Sequence, residues 1–208
     1  VEAHYSLGLT FYDLGKLEDT VKSYKQVVAI KSDFAGMHNN LGNVYRELGE
    51  LDAALKSYKK AIAIKADFAE VYCNLGITHK EIGQLNAAII AFKEAITIKP
   101  DYAEAHNNLG VTFKEEGKFN EAVDCYKSAL AIKPDYAEVH DNLGVAFKAL
   151  DKLDQAIESH KNALKIKPDY AKGYNNLGII FLEVGRIDEA VQNYEKALLI
   201  KPDYIEAH

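Results

Sequence analysis

Asparagine recurs at Asn40, Asn74, Asn108, Asn142 and Asn176, with Ser6 at the equivalent first position, and Asn39, Asn107 and Asn175 precede three of them. A carboxamide carries two donors and an acceptor, the groups that can grip the backbone of another polypeptide. Asparagine is also a mediocre helix former, more at home in caps and turns, so a row of them at one register within helical patterning needs partners. Two kinds of partner fit: a neighbouring helix, which would fix packing, or an extended peptide lying in a groove. The aliphatics Leu9, Ile77, Val111, Val145 and Ile179 share the helix face of the asparagines and are out of place on a fully solvated surface. The combination favours a peptide-binding face. Arg46, Lys80, Lys114 and Lys148 hold one register in successive segments, with Glu47, Glu81 and Glu115 beside three of them. That mixture reads as a solvated face and not as a phosphate track; Lys80, Lys114 and Lys148 join the asparagines as peptide-binding candidates.

Other chemistry is less well supported by the residues. His4, His38, His106 and His140 lie 34 residues apart, so each falls on a different helix pair, on the order of 10 Å from the next. Metal ligands must converge within roughly 2 to 2.5 Å of one ion, so these rings are expected as packing groups, and no cofactor is expected. Cys73 and Cys125 fall on different faces of different segments and are expected as thiols in a reducing compartment. There is no G-x-S-x-G, P-loop or dinucleotide fingerprint, and the irregular positions Thr20, Val27, Asp151, His160 and Gly173 read as packing or capping variants that do not converge. The expectation is that the chain is not an enzyme over these residues. A net charge of −6 argues against nucleic acid as a partner, and neither a membrane span nor a signal peptide is legible, which points to an intracellular, cytoplasmic or nuclear setting.

The elements that must position the asparagines come from one period of 34 residues. It runs through units 1–34, 35–68, 69–102, 103–136, 137–170 and 171–204, with 205–208 opening a seventh. Each unit reads as two helices. Asp33, Asp67, Asp101, Asp135, Asp169 and Asp203, with Glu70, Glu104, Glu138 and Glu206 three residues after four of them, predict a capping box at the first helix. Gly15, Gly49, Gly83, Gly117, Asp151 and Gly185 predict its end. Asp52, Asn86, Asn120, Asp154 and Asp188 predict a second cap, and the second helix ends at a lysine, followed in the later units by proline. In the second helix of the fourth unit the expected inward set is Phe119, Ala122, Val123, Tyr126, Ala129, Leu130 and Ile132, while Ala53 is expected on an outer face. One unit cannot bury such a surface, whereas stacked units can, so the fold class is all-α, an α-solenoid of six helix-turn-helix units with twelve helices and a C-terminal stub. With no linker, 1–208 reads as a single array.

These residues resemble the tetratricopeptide repeat, whose 34-residue pattern is a standard example among repeat signatures. Leu-Gly stands at Leu7-Gly8, Leu41-Gly42, Leu75-Gly76, Leu109-Gly110, Leu143-Gly144 and Leu177-Gly178, and an Ala-x3-aromatic element at Ala54-Tyr58, Ala88-Phe92, Ala122-Tyr126 and Ala190-Tyr194. The resemblance implies a right-handed superhelix that binds other proteins. Within the family the asparagine row is similar to the arrays of O-linked N-acetylglucosamine transferases and SPINDLY-type proteins, where an asparagine ladder holds the polypeptide substrate. Members that clamp chaperone C-termini use a Lys/Arg set, and the matching places here hold Tyr5, Asn39, Cys73, Asn107, Asp141 and Asn175, which disfavours that role.

Three readings follow: a scaffold that binds an extended peptide in a concave groove, the substrate-recognition arm of a larger glycosyltransferase-like enzyme, and a self-assembling structural solenoid. The last rests on Val191, Tyr194, Leu198 and Leu199 of the final helix, an apolar end that would suit head-to-tail association of copies. The start at the first position of one unit and the stop inside the seventh suggest an excised segment.

Overall fold

A computed structural model describes residues 1–203, and the expected stub at 205–208, with the cap at Glu206, lies outside the described residues. The described residues form helices and turns with no strand. They divide into two compact units, Val1–Pro100 and Asp101–His208. The first holds α1 (Glu2–Asp13), α2 (Leu17–Ile30), α3 (Ala35–Glu47), α4 (Leu51–Ile64), α5 (Ala69–Glu81) and α6 (Leu85–Ile98). The second holds α7 (Ala103–Glu115), α8 (Phe119–Ile132), α9 (Ala137–Ala149), α10 (Leu153–Ile166), α11 (Ala171–Glu183) and α12 (Ile187–Ile200). In each unit every helix packs on the next, and short turns make consecutive helices antiparallel.

The glycine stops behave as expected. Gly49 has φ +76°, a left-handed conformation that costs a residue without Cβ little. Its N–H donates to the Arg46 carbonyl, and the Glu50 N–H donates to that of Tyr45. This pair of bonds closes the last turn of α3 in a Schellman motif. Asp151 makes the same turn at φ 58°.

Both N-terminal caps differ from expectation. The N-caps of the odd-numbered helices from α3 to α11 are the aromatics Phe34, Phe68, Tyr102, Tyr136 and Tyr170, and none makes a side-chain cap bond. The aspartates sit one residue earlier, in the turn. What occupies the cap is a ring under the lysine that ends the preceding helix: Lys65 Nζ lies 5.1 Å from the Phe68 ring centre and Lys133 Nζ 4.6 Å from that of Tyr136. A cation over a ring face is attracted by its quadrupole, so one contact ends a helix and starts the next. The second expected cap also moves. The caps there are Glu50, Gln84, Lys118, Lys152 and Arg186, without side-chain bonds. Asp52, Asp154 and Asp188 fall inside the first turn, where a carboxylate still meets the positive end of the helix dipole.

The core of the first unit is built around Tyr24, Met37, Val44, Tyr58 and Val71, and that of the second around Tyr126, Val139, Phe147, Ile157 and Ile180. Ala122, Val123, Tyr126 and Ala129 are buried as expected, but Ile132 is 38% exposed because it sits at the last position of α8. Ala53 is not on an outer face; it is partly buried against the first core.

Two tyrosines at one register differ in their polar end. The buried Tyr58 hydroxyl donates to Asn43 Oδ1 at 2.7 Å, and burial pushes its ionisation up to about 12. The buried Tyr126 hydroxyl has no hydrogen-bond partner among the described residues, since Val111 takes the place of Asn43. An orphaned buried hydroxyl costs about 1 to 3 kcal/mol. Tyr126→Phe is therefore expected to raise the urea midpoint, as Phe92 already fills this place in the third repeat, whereas Tyr58→Phe should lower it by stranding Asn43. A shift of both variants in the same direction would show that the hydroxyl is not what distinguishes them.

Candidate functional site

The asparagines lie mid-helix on α3, α5, α7, α9 and α11, each three residues after a buried small or aliphatic residue: Met37, Val71, Ala105, Val139 and Gly173. That spacing sets each asparagine about 60° around the helix from the buried residue, at the edge of the core face. Asn40, Asn74, Asn108 and Asn176 are half-buried and Asn142 is buried.

In the first unit Asn74 Nδ2 donates to Asn39 Oδ1 at 3.0 Å, and Asn39 Nδ2 donates to Glu70 Oε1 at 3.1 Å. In the second, Asn142 Nδ2 donates to Asn107 Oδ1 at 3.2 Å and Asn176 Nδ2 to Asp141 Oδ1 at 2.9 Å. The paired positions are thus rungs joining neighbouring odd-numbered helices, which supplies the partners that mid-helix asparagine requires. Asn175 Oδ1 is buried and accepts no hydrogen bond among the described residues.

The face is nevertheless partly open. Leu9 is 39% and Ile179 38% exposed, while Ile77, Val111 and Val145 are half-buried. In the first unit a cavity of about 190 Å³ is lined by Leu9, Tyr12, Tyr24, Asn40, Asn43 and Val44. Side chains near it are tied between repeats: Tyr12 donates to Glu47 Oε1 at 2.6 Å, and Arg46 Nη1 to Glu81 Oε1 at 3.1 Å. Lys148 makes the same contact with Glu183 at 3.1 Å in the second unit. Lys148 is therefore engaged in an ion pair on a mixed face; Lys80 and Lys114 are half-buried at the same register.

Two of the repeated histidines serve the turns. His38 Nε2 lies 3.1 Å from the Ser32 carbonyl oxygen and His140 Nε2 2.9 Å from that of Pro134. Cys73 and Cys125 are not in a disulfide. At the final helix, Val191 and Leu199 are exposed and Tyr194 and Leu198 half-buried.

One constellation escaped sequence reasoning. Asp141, fully buried, accepts from His160 Nδ1 at 2.9 Å and Asn176 on Oδ1, and from the Tyr170 hydroxyl and Lys172 Nζ, both at 3.1 Å, on Oδ2. Burial alone would raise this carboxyl; the hydrogen bond and charge of His160, with the Lys172 charge, outweigh it and hold the group well below the ordinary carboxylate range. The expectation that irregular positions do not converge is corrected for His160. The available signal was coincidence: Asp replaces Asn, His replaces Tyr and Lys172 replaces Glu in consecutive repeats. The cluster binds α9, α10 and α11 together. The described residues include no group of His, Cys, Asp and Glu able to hold a metal ion, and no helix is long and apolar enough to cross a membrane.

The family described as cilia and flagella-associated protein 70 C-terminal domain matches residues 1–206. Among curated proteins no sequence match is found. Among solved structures, MamA is 30% identical, covering 78% of this chain and 95% of that one, with a TM-score of 0.73. PilF of Pseudomonas aeruginosa is 19% identical over 99% of this chain and 94% of its own, with a TM-score of 0.84. YrrB, described as a tetratricopeptide repeat protein with an unusual peptide-binding site, is 19% identical over 90% and 96%, with a TM-score of 0.73.

Proposed function

We propose, given that this chain belongs to the tetratricopeptide-repeat family of the cilia and flagella-associated protein 70 C-terminal domain, that it is a protein-interaction scaffold whose asparagine face receives an extended peptide. The observation that carries this reading is that asparagine amides share a half-open helix face with exposed aliphatics in each compact unit, Leu9 in the first and Ile179 in the second. YrrB, of the same fold, has a peptide-binding site by its description. Residues 1–208 act as one array in this reading, inside the cell, where cysteines remain thiols. No reaction is assigned to the chain. The asparagine row equally suits the recognition arm of a larger enzyme, whose catalytic domain would lie elsewhere.

The rungs sharpen the test. The Asn40 side chain makes no hydrogen bond among the described residues and lines the cavity of the first unit, so Asn40→Ala should weaken capture on a peptide array and leave the melting temperature unchanged. Asn74→Ala, Asn108→Ala and Asn142→Ala combined should abolish capture, and the rungs severed at Asn74 and Asn142 should each cost about 0.5 to 1.5 kcal/mol of stability. Unchanged capture with lowered stability would assign the row to packing alone.

A further inference from the structure

The strongest exception to the repeat lies on the other side of α3 from Asn40. Two adjoining cavities of about 400 and 240 Å³ share Lys25, Val28, His38 and Lys60, and form one groove between α2 and α4. Its floor is apolar: Val28 and Ala53 are half-buried, Leu41 and Tyr45 buried. Its rim is cationic. Lys25 on α2 faces Lys56 and Lys60 on α4, all three exposed, and no acidic residue lines either cavity. Lys25 Nζ rests 5.6 Å from the Tyr45 ring centre, and no carboxylate pairs with Lys25, Lys56 or Lys60 among the described residues.

The other repeats supply internal controls. Where this groove has Lys25, Lys56 and Lys60, the next one has Lys59, Ile90 and Glu94, that between α8 and α10 has Lys127, Glu158 and Asn162, and that between α10 and α12 has Lys161, Gln192 and Lys196, with Glu189 in its lining. Packing needs at this register are thus met without three lysines. Their concentration in one place, in a chain of net charge −6, holds like charges together at a cost that an anionic partner would relieve.

We propose that the groove between α2 and α4 docks an acidic peptide segment that carries an apolar side chain. Carboxylates match the compact charges of lysine, and the apolar floor gives a buried side chain its anchor. A nucleic acid would find only three cations and no continuing basic track. The site is separate from the asparagine face: none of Leu9, Tyr12, Tyr24, Asn40, Asn43 and Val44, which line the cavity there, lines this groove.

The test is fluorescence polarisation with a labelled short peptide of Asp and Glu interrupted by two leucines. Lys25→Gln, Lys56→Gln and Lys60→Gln together should weaken binding about tenfold or more, and added salt should weaken it in the unmutated chain. Lys127→Gln, Lys161→Gln and Lys165→Gln together remove the same charge elsewhere and should change little. Asn40→Ala should leave this binding intact, which separates it from the peptide site proposed above. Absence of binding, equal loss in the two lysine variants, equal affinity for a leucine-free acidic peptide, or tighter binding of a single-stranded oligonucleotide competing at the same lysines would each overturn the proposal.

Discussion

Replacing Asp141 by alanine should destabilise the protein by about 3 to 5 kcal/mol, the range found when one member of a buried ion pair is removed. The loss exceeds that of a single contact because three donors are stranded together: His160 Nδ1, the Tyr170 hydroxyl and Asn176 Nδ2 all end on this carboxylate. Lys172, half of whose side chain is exposed, can turn to solvent and adds little. Asp141→Asn should cost less, since Asn39, Asn107 and Asn175 hold the same register elsewhere and an amide oxygen still accepts from Asn176. In those repeats the partner register holds Tyr58, Tyr126 and Tyr194, where this one holds His160. Asp141→Asn with His160→Tyr should therefore be less damaging than the sum of the two single changes, measured by urea unfolding and circular dichroism. Strict additivity would mean that the two residues do not act as a pair.

The same carboxylate sets an acid limit. Its folded-state ionisation is depressed, so its stabilisation is present in full above the unfolded-state value of about 3.9 and is lost as pH falls below that toward the folded value. The stability gap between the unmutated chain and Asp141→Asn should be level near neutrality and close in acid. A gap that closed between pH 6 and 8 would contradict this assignment.

Helix number, helix ends at glycine and lysine, and most of the inward face were legible because the 34-residue period repeats each signal. The caps were misread because an aspartate before a helix has two local uses. Sequence alone does not show that a lysine and an aromatic three residues apart, such as Lys65 and Phe68, close the turn around it. The asparagine row was legible as an exception to helix propensity, but not its rungs. These join residues 35 apart, Asn39 to Asn74 and Asn107 to Asn142, one residue out of register with the repeat. His160 was visible as a departure, and Asp141 only as one of the places that lack a clamp lysine or arginine. Their contact was not, because it depends on the lateral offset of α9 and α10. The lysine groove was hidden for a similar reason: Lys25 is 31 residues from Lys56, and only the packing of α2 and α4 against α3 brings them to one rim.

Gly110→Ala should be severely destabilising although it adds a single methyl group. A Cβ at this position would stand 2.6 Å from Tyr126 Cε1 and 2.8 Å from Cδ1, well inside van der Waals contact. Tyr126 is fully buried between packed helices, so the ring has no free volume to enter and the helices must separate. Overpacking of this kind costs about 1 to 3 kcal/mol and more where nothing yields; the upper end is expected here. Gly178→Ala makes the same encounter with Tyr194, at 2.6 Å, but that ring is half-buried and can swing toward solvent, so the loss should be smaller. Gly36, whose added Cβ would meet only the edge of the exposed Phe34 ring at 3.2 Å, should tolerate alanine, with helix propensity in its favour. The decisive measurement is the combination of Gly110→Ala with Tyr126→Leu. If the ring is the obstacle, removing it should recover part of the loss, and the double variant should unfold at a higher urea concentration than Gly110→Ala alone. Losses that simply add would place the strain in the α7 backbone and not in its contact with the ring.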